Sequence, residues 1–230
     1  MKLLGLIGGL TWLSTLEYYR KINEGVSDRL GESHCAKILM HSVDFEEFSV
    51  LVKQNSLSGI ASMLVKIAKG LETAGAEAVL ICSNTPHMAA EEIKKMIGIP
   101  LIHIAETTAA EVSGNGMTSV GLIGTKPTME QNFFKSKLSE KNIEVLTPGI
   151  NDRDYIQHAA FNELGKGQFL DSTRQRFIAI INELTTRGAQ GIILGCTEFP
   201  FLVGATDVSV PLFDTLKIHA KAGADFALSG

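Results

Sequence analysis

Cysteine is scarce in this 230-residue chain: there are three, Cys35, Cys82 and Cys196. An odd, sparse set argues against a disulfide framework. No pair has C-x-x-C spacing and no histidines stand four apart beside a cysteine, which argues against structural zinc. Long apolar runs are missing too; none approaches the ~18 residues a membrane helix needs. There is no basic excess, with 21 Lys and Arg against 25 Asp and Glu and a formal net charge of −4. Nothing therefore points to nucleic acid, and no run of like charges marks an interaction tail. Met1 to Leu6 carries one charge, Lys2, and Gly8 and Gly9 interrupt the apolar run, so no signal peptide is read. What remains is ordinary for a chain with a packed core: 45% hydrophobic and 20% charged residues. The expectation is a cytoplasmic protein with a small-molecule partner, no membrane and no nucleic acid. Three thiols in a reducing compartment are either packing residues or reactive ones.

Short apolar runs alternate with longer helical segments. Leu3–Gly8, Lys37–Val43, Ala78–Cys82, Thr118–Ile123 and Gly191–Gly195 read as buried strands. Ser14–Leu30, Ile60–Ala74, Pro86–Met96, Arg174–Arg187 and Thr215–Leu228 read as helices, with Gly75 and Gly188 as stops and Pro86 in a first turn. This alternation predicts an α/β fold of parallel sheets covered by helices.

Three pieces recur in the same order, half a chain apart. Gly5-Leu6-Ile7-Gly8 matches Gly121-Leu122-Ile123-Gly124 at an offset of 116. Gly75-Ala76-Glu77-Ala78-Val79-Leu80-Ile81 matches Gly188-Ala189-Gln190-Gly191-Ile192-Ile193-Leu194 at 113. Ile99-Pro100-Leu101-Ile102 matches Val210-Pro211-Leu212-Phe213 at 111. One match could be chance; three in order at nearly constant spacing mean an internal duplication. The expected architecture is two similar parallel-sheet subdomains about a pseudo-twofold axis, residues 1–98 plus 211–230 forming one and 99–210 the other. Ligands bind beyond the carboxyl ends of such strands, so the site is expected in a cleft between the halves.

The second repeat runs into the chemistry. Carried on without a gap, the 113 offset sets Ser83 against Cys196, Asn84 against Thr197 and Thr85 against Glu198. Both stretches are strand-to-helix turns bearing small polar side chains and backbone N–H groups, a place suited to a carboxylate. Such a turn is also expected to lower the pKa of a thiol placed there. Removing a proton next to a carboxylate needs a base on one face, and inverting the centre needs an acid on the other. Cysteine suits this work, its reference pKa of ~8.5 lying near working pH. Cys82 falls opposite Gly195, one step out of register on its strand, and reads as packing. Cys35 has no polar company and reads as packing too.

Several motifs together resemble a known family: Gly5-Leu6-Ile7-Gly8-Gly9-Leu10-Thr11-Trp12-Leu13-Ser14-Thr15 with Tyr18-Tyr19, then His41-Ser42-Val43-Asp44-Phe45, Asn84-Thr85-Pro86-His87, Gly124-Thr125 with Thr128-Met129-Glu130-Gln131, and Gly195-Cys196-Thr197-Glu198. Over its full length the chain resembles the aspartate/glutamate racemase superfamily, in its aspartate racemase branch. Within that branch it is most similar to the enterobacterial L-aspartate/glutamate-specific and broad-specificity amino-acid racemases. The resemblance implies a cofactor-free isomerase, independent of pyridoxal phosphate, with a two-base mechanism that uses one cysteine from each half. It implies that Asn84, Thr85, Thr125 and Thr197 hold the substrate's α-carboxylate and amino group, that Leu10 and Thr11 line the same pocket, and that the protein is a homodimer.

Departures from the family pattern matter as much. The family places a cysteine before Asn-Thr where this chain has Ser83, and a serine hydroxyl is too weakly acidic to serve as a base without a strong partner. A lopsided enzyme is expected, with Cys196 strong on one enantiomer and Ser83, or a water, weak on the opposite face. Phe45 stands where relatives acting on acidic substrates often carry arginine. Lys166, in Gly165-Lys166-Gly167, is a candidate for the side-chain carboxylate, with an ordinary solvated lysine the equal alternative. Glu198 is read as orienting Cys196 or capping its turn, and His87 as orienting a neighbour or as a structural hydrogen-bond donor. The Gly5-x-x-Gly8-Gly9 loop lacks full dinucleotide-binding spacing, so NAD is not expected. Two alternatives stay open: a single-cysteine decarboxylase or isomerase of the same superfamily, and an amino-acid-binding protein that has lost full catalysis.

Overall fold

The computed structural model describes residues 1–31 and 33–230. The chain runs β1 (Leu4–Gly8), α1 (Trp12–Leu30), β2 (Ile38–Ser42), α2 (Phe45–Lys53), α3 (Leu57–Thr73), β3 (Ala78–Ile81), a 3-10 turn (Thr85–Ala89), α4 (Ala90–Met96) and β4 (Leu101–Ile102). It continues through α5 (Ile104–Gly114), β5 (Ser119–Gly124), α6 (Lys126–Glu130), α7 (Asn132–Ser139), β6 (Glu144–Leu146), α8 (Ile150–Asn162) and a 3-10 turn (Leu164–Lys166). Then come α9 (Asp171–Thr186), β7 (Ile192–Gly195), a 3-10 turn (Phe199–Phe201), β8 (Leu212–Asp214) and α10 (Thr215–Ala227).

Two four-stranded, all-parallel sheets result, ordered β2-β1-β3-β4 and β6-β5-β7-β8. The repeats read in the sequence reappear as matching register. Gly5 pairs with Val79 and Gly121 with Ile192, while Val79 pairs with Leu101 and Ile192 with Leu212. A fourth equivalence escaped the sequence: Gly5 pairs with Leu39 and Gly121 with Leu146. β2 and β6 are both edge strands with no fully buried residue, so their side chains are not constrained to a shared apolar pattern.

The helices repeat as well. α3 buries Ile60, Leu64, Ile67, Ala68 and Leu71, and α9 buries Thr173, Phe177, Ile180, Ile181 and Leu184 at the same spacing. That spacing lays one stripe of each helix on its sheet, and full burial of Leu64 and Phe177 stabilises each unit by roughly 1.5–3 kcal/mol apiece. α3 begins at Ser56, whose hydroxyl accepts the Gly59 N–H at 3.3 Å. The chain leaves both helices through glycines at positive φ, Gly75 at +97° and Gly188 at +104°, where a side chain would be strained.

The chain divides into two compact units, Met1–Ile104 with Leu216–Gly230, and Ala105–Thr215. These limits lie a few residues beyond the boundaries at 99 and 211 read from the sequence. β4 is hydrogen-bonded to β3 and β8 to β7, so each sheet keeps its own last strand and the crossing comes after it. The helix after each crossing then serves the other unit. In the first unit, Leu216, Ala220, Ala224 and Ala227 of α10 share a core with Leu4, Leu6 and Leu80 of the sheet and Tyr18, Ile22 and Val26 of α1. Among the described residues, no helix is long and apolar enough to cross a membrane.

Candidate active site

Cys196 stands directly after β7, where the backbone turns into the 3-10 segment at Phe199. The turn is tight: the Phe199 N–H donates to the Cys196 carbonyl at 3.2 Å. The thiol donates to Glu198 Oε2 at 3.1 Å, and the Thr197 hydroxyl donates to the same oxygen at 2.8 Å. Thr197 and Glu198 are buried and Cys196 is half-buried. The Glu198 carboxylate thus fixes the direction of the Cys196 thiol.

The expectation of a lowered thiol pKa is overturned. Burial pushes the Cys196 thiol well above its ordinary value, and the Glu198 carboxylate beside it pushes further. Hydrogen bonds from backbone N–H groups of Glu198 and Thr197 pull the other way and lose. The physical reason is local: the helical segment after Cys196 is a 3-10 turn of three residues, with little aligned dipole to favour a thiolate. The resting group is a neutral thiol with a proton acceptor already in contact.

The glycines beneath this turn are close-packed. A Cβ on Gly124 would lie 2.9 Å from the Gly195 carbonyl oxygen and 3.0 Å from Thr128 Cγ2. Thr125, buried at the start of α6, has its hydroxyl 3.1 Å from that of Thr128. This second unit therefore gathers Thr125, Thr128, Cys196, Thr197 and Glu198 at the carboxyl ends of the paired strands β5 and β7.

In the first unit, β1 ends in a loop that only glycine can make. Gly9 has φ +80°, and a Cβ there would lie 2.1 Å from the Val43 carbonyl oxygen. Its N–H donates to Thr15 Oγ1 at 2.8 Å, and that hydroxyl donates to the Thr11 carbonyl at 2.9 Å. Thr11 caps α1, accepting from the Ser14 N–H at 3.4 Å. The Leu10 side chain packs into the first unit's core.

After β3 come Cys82 and then Ser83. Cys82 is fully buried in the core, which raises its thiol pKa strongly; it is a packing residue. Ser83 is partly buried, Asn84 is buried and Thr85 partly so. The segment read as one helix, Pro86–Met96, is a 3-10 turn over Thr85–Ala89 followed by α4. His87 lies in that turn, and its Nδ1 is 2.9 Å from the Ser83 carbonyl oxygen. A carbonyl only accepts, so Nδ1 carries the proton. His87 is therefore a hydrogen-bond donor to the backbone of its neighbour Ser83.

Lys166 is exposed at the end of the second 3-10 turn. Phe45 opens α2 behind its cap Asp44 and packs partly against the first core, 6.4 Å from Phe48 between ring centroids. Cys35, expected as packing, is exposed in the link between α1 and β2; it belongs to no element whose buried face it could share. The sequence reading assigns no site role to Tyr18, His103 or His219, all of them buried; the rings of His103 and His219 lie beside that of His87, and Tyr18 is hydrogen-bonded to His219. The available signal was a polar residue on an otherwise apolar helix face, His219 between Leu216 and Ala220, and a histidine immediately after a strand, His103.

Residues 7–223 match the model of the family described as Asp/Glu/hydantoin racemases. The fold is similar to that of a candidate Asp/Glu racemase from Yersinia pestis, at 45% identity and a TM-score of 0.94 over 100% of both chains. It is similar to an aspartate racemase homologue from Pyrococcus horikoshii at 32% identity and a TM-score of 0.86, over 99% of both. In sequence, a broad specificity amino-acid racemase of Bacillus subtilis is 25% identical over 156 residues, 66% of this chain and 65% of that one. The matched stretch therefore spans just under two thirds of that relative. With the family match running through both units, the chain belongs to the Asp/Glu/hydantoin racemase family.

Proposed function

We propose that the protein is a cofactor-independent amino-acid racemase, acting on aspartate, glutamate or a related amino acid. The observation that carries this reading is the Cys196–Glu198 contact, a neutral thiol hydrogen-bonded at 3.1 Å to a buried carboxylate. In the reaction Cys196 passes its proton to Glu198, and the resulting thiolate takes the Cα proton. The electron pair left on Cα delocalises into the substrate's α-carboxylate. A proton returned from Ser83, or from a water beside it, to the opposite face gives the other enantiomer; solvent then reprotonates the serine oxygen or hydroxide and takes the proton held on Glu198, which restores the resting state. Asn84, Thr85, Thr125 and Thr197 hold the α-carboxylate and amino group, with Leu10 and Thr11 beside them. Lys166 takes the side-chain carboxylate of an acidic substrate. The free thiols fit a reducing cytoplasm, and the family resemblance supports a homodimer.

The deciding experiment is deuterium uptake at Cα from D2O, run on each enantiomer of a panel of amino acids with Cys196→Ala as control. Uptake that depends on Cys196 is expected; uptake that survives the substitution sinks the mechanism. Ser83 favours one second reading, a single-thiol decarboxylase or isomerase of the same superfamily, and release of CO2 from a malonate-type substrate would select it.

A further inference from the structure

Three histidines from separate stretches of the chain are buried together in the first unit: His87 in its 3-10 turn, His103 directly after β4, and His219 on α10. The ring centroid of His87 lies 4.7 Å from that of His103 and 5.6 Å from that of His219. Among the described residues no group of His, Cys, Asp or Glu is placed to hold a metal ion; two of the three rings are instead engaged in hydrogen bonds at both nitrogens. His219 Nε2 is 2.8 Å from the Ile102 carbonyl oxygen and its Nδ1 is 2.7 Å from the Tyr18 hydroxyl. The carbonyl accepts, so Nε2 carries the proton, and Tyr18 donates to Nδ1. His87 donates through Nδ1 to the Ser83 carbonyl and accepts the Ile104 N–H on Nε2 at 3.3 Å. Both rings are therefore neutral, with both nitrogens engaged. Burial, and for His87 the neighbouring His103 and His219, lowers the pKa of each and keeps them so.

The backbone groups held in this way are the telling part. Ile102 and Ile104 bracket the point where the chain leaves the first unit, and His219 stands three residues after Leu216, where it returns. The third group is the carbonyl of Ser83. One buried network thus ties the crossings of the chain to the peptide of the candidate acid.

We propose that Tyr18, His219 and His87 are positioning residues for Ser83, setting its hydroxyl from the crossing segments rather than touching substrate. This rests on the reading of Ser83 as the acid/base on one face. Misplacing a reacting group by about 1 Å costs roughly 10²-fold, so losing the His87 contact should slow the Ser83 face by about 10- to 100-fold. The Cys196 face should stay within about twofold, because its partners Thr197 and Glu198 lie in the other unit.

The test measures Cα deuterium exchange separately for the two enantiomers in the full-length protein, Ser83→Ala, His87→Ala and the double variant, with circular dichroism confirming the fold. The expected result is a one-sided loss in His87→Ala that adds nothing further to Ser83→Ala. His87→Asn, which keeps an N–H for the Ser83 carbonyl, should recover part of it, and Tyr18→Phe should show a smaller loss on the same side. Should His87→Ala fail to fold, Tyr18→Phe and His87→Asn carry the same one-sided test. Equal losses on both faces, or full additivity with Ser83→Ala, overturn the proposal while leaving Ser83 in its role. If Ser83→Ala leaves both faces unchanged, the reading of Ser83 fails and the positioning role falls with it.

Discussion

The turns after β3 and β7 are the same piece of architecture used twice. Each leaves a buried strand paired in the same register to its unit's first strand, and each leads into a 3-10 turn with proline in it. Their chemistry differs. In the second unit the position two residues beyond the thiol holds Glu198, which accepts the proton of Cys196 directly. In the first unit the equivalent position is Thr85, and what holds the turn is His87 on the backbone of Ser83. One turn has a titratable group with a proton acceptor on it; the other has a hydroxyl on a braced peptide. A duplicated scaffold fixes where two groups stand, and side chains that break the duplication decide what each can do.

The contrast can be broken most directly at Cys196. Cys196→Ala should remove Cα exchange of the preferred enantiomer by roughly 10²- to 10⁴-fold, the range of a lost general acid/base, read by loss of the Cα proton signal in D2O. Glu198→Gln should cost about 10²-fold in turnover. It should also lower the pKa of the thiol, because the carboxylate that now raises it is gone; alkylation rate against pH reads that shift. An unchanged alkylation profile would mean that Glu198 does not control the thiol.

The first unit should in turn show its histidines in its stability. His219 is held down to about 4 by burial, against ~6.5 in an unfolded chain. The groups facing it are Tyr18, His87 and the Ile102 carbonyl, with His103 beyond His87. Between those pH values the unfolded chain binds more protons than the folded one, so stability is full above ~6.5 and falls as the pH drops toward 4. The expected loss is about 3 kcal/mol from this group alone, measured by denaturant unfolding across that range; His219→Gln should flatten the slope. The smallest effect is expected at Ser83. Ser83→Cys, which puts a thiol at the register equivalent of Cys196, should raise turnover of the slower enantiomer by about tenfold, and no change would show that the hydroxyl does not limit that face.

Much of this was legible in the sequence because it is periodic. Strands bounded by glycine, apolar stripes on α3 and α9, and three ordered offsets carried the α/β class, the duplication and the pairing of Ser83 with Cys196. Of the elements it did not show, α5 and α8 have weak apolar patterns, α2, α6 and α7 are short helices of nine, five and eight residues, and β6 is a short, partly exposed strand. The unit limits differ by a few residues for a related reason. β4 and β8 span two and three residues, too short for period to assign them to a sheet, and only hydrogen bonding does so.

The sequence by itself determined that two copies of one sheet are present and that Cys196 is the register equivalent of Ser83, because strand and helix periods are local and survive as residue spacing. The tertiary structure alone decided that the Cys196 thiol rests protonated on Glu198, since burial and charge proximity set its pKa. It alone gathered Tyr18, His87, His103 and His219, which lie far apart along the chain, because only packing brings the start of α10 and the end of β4 against the turn that carries Ser83.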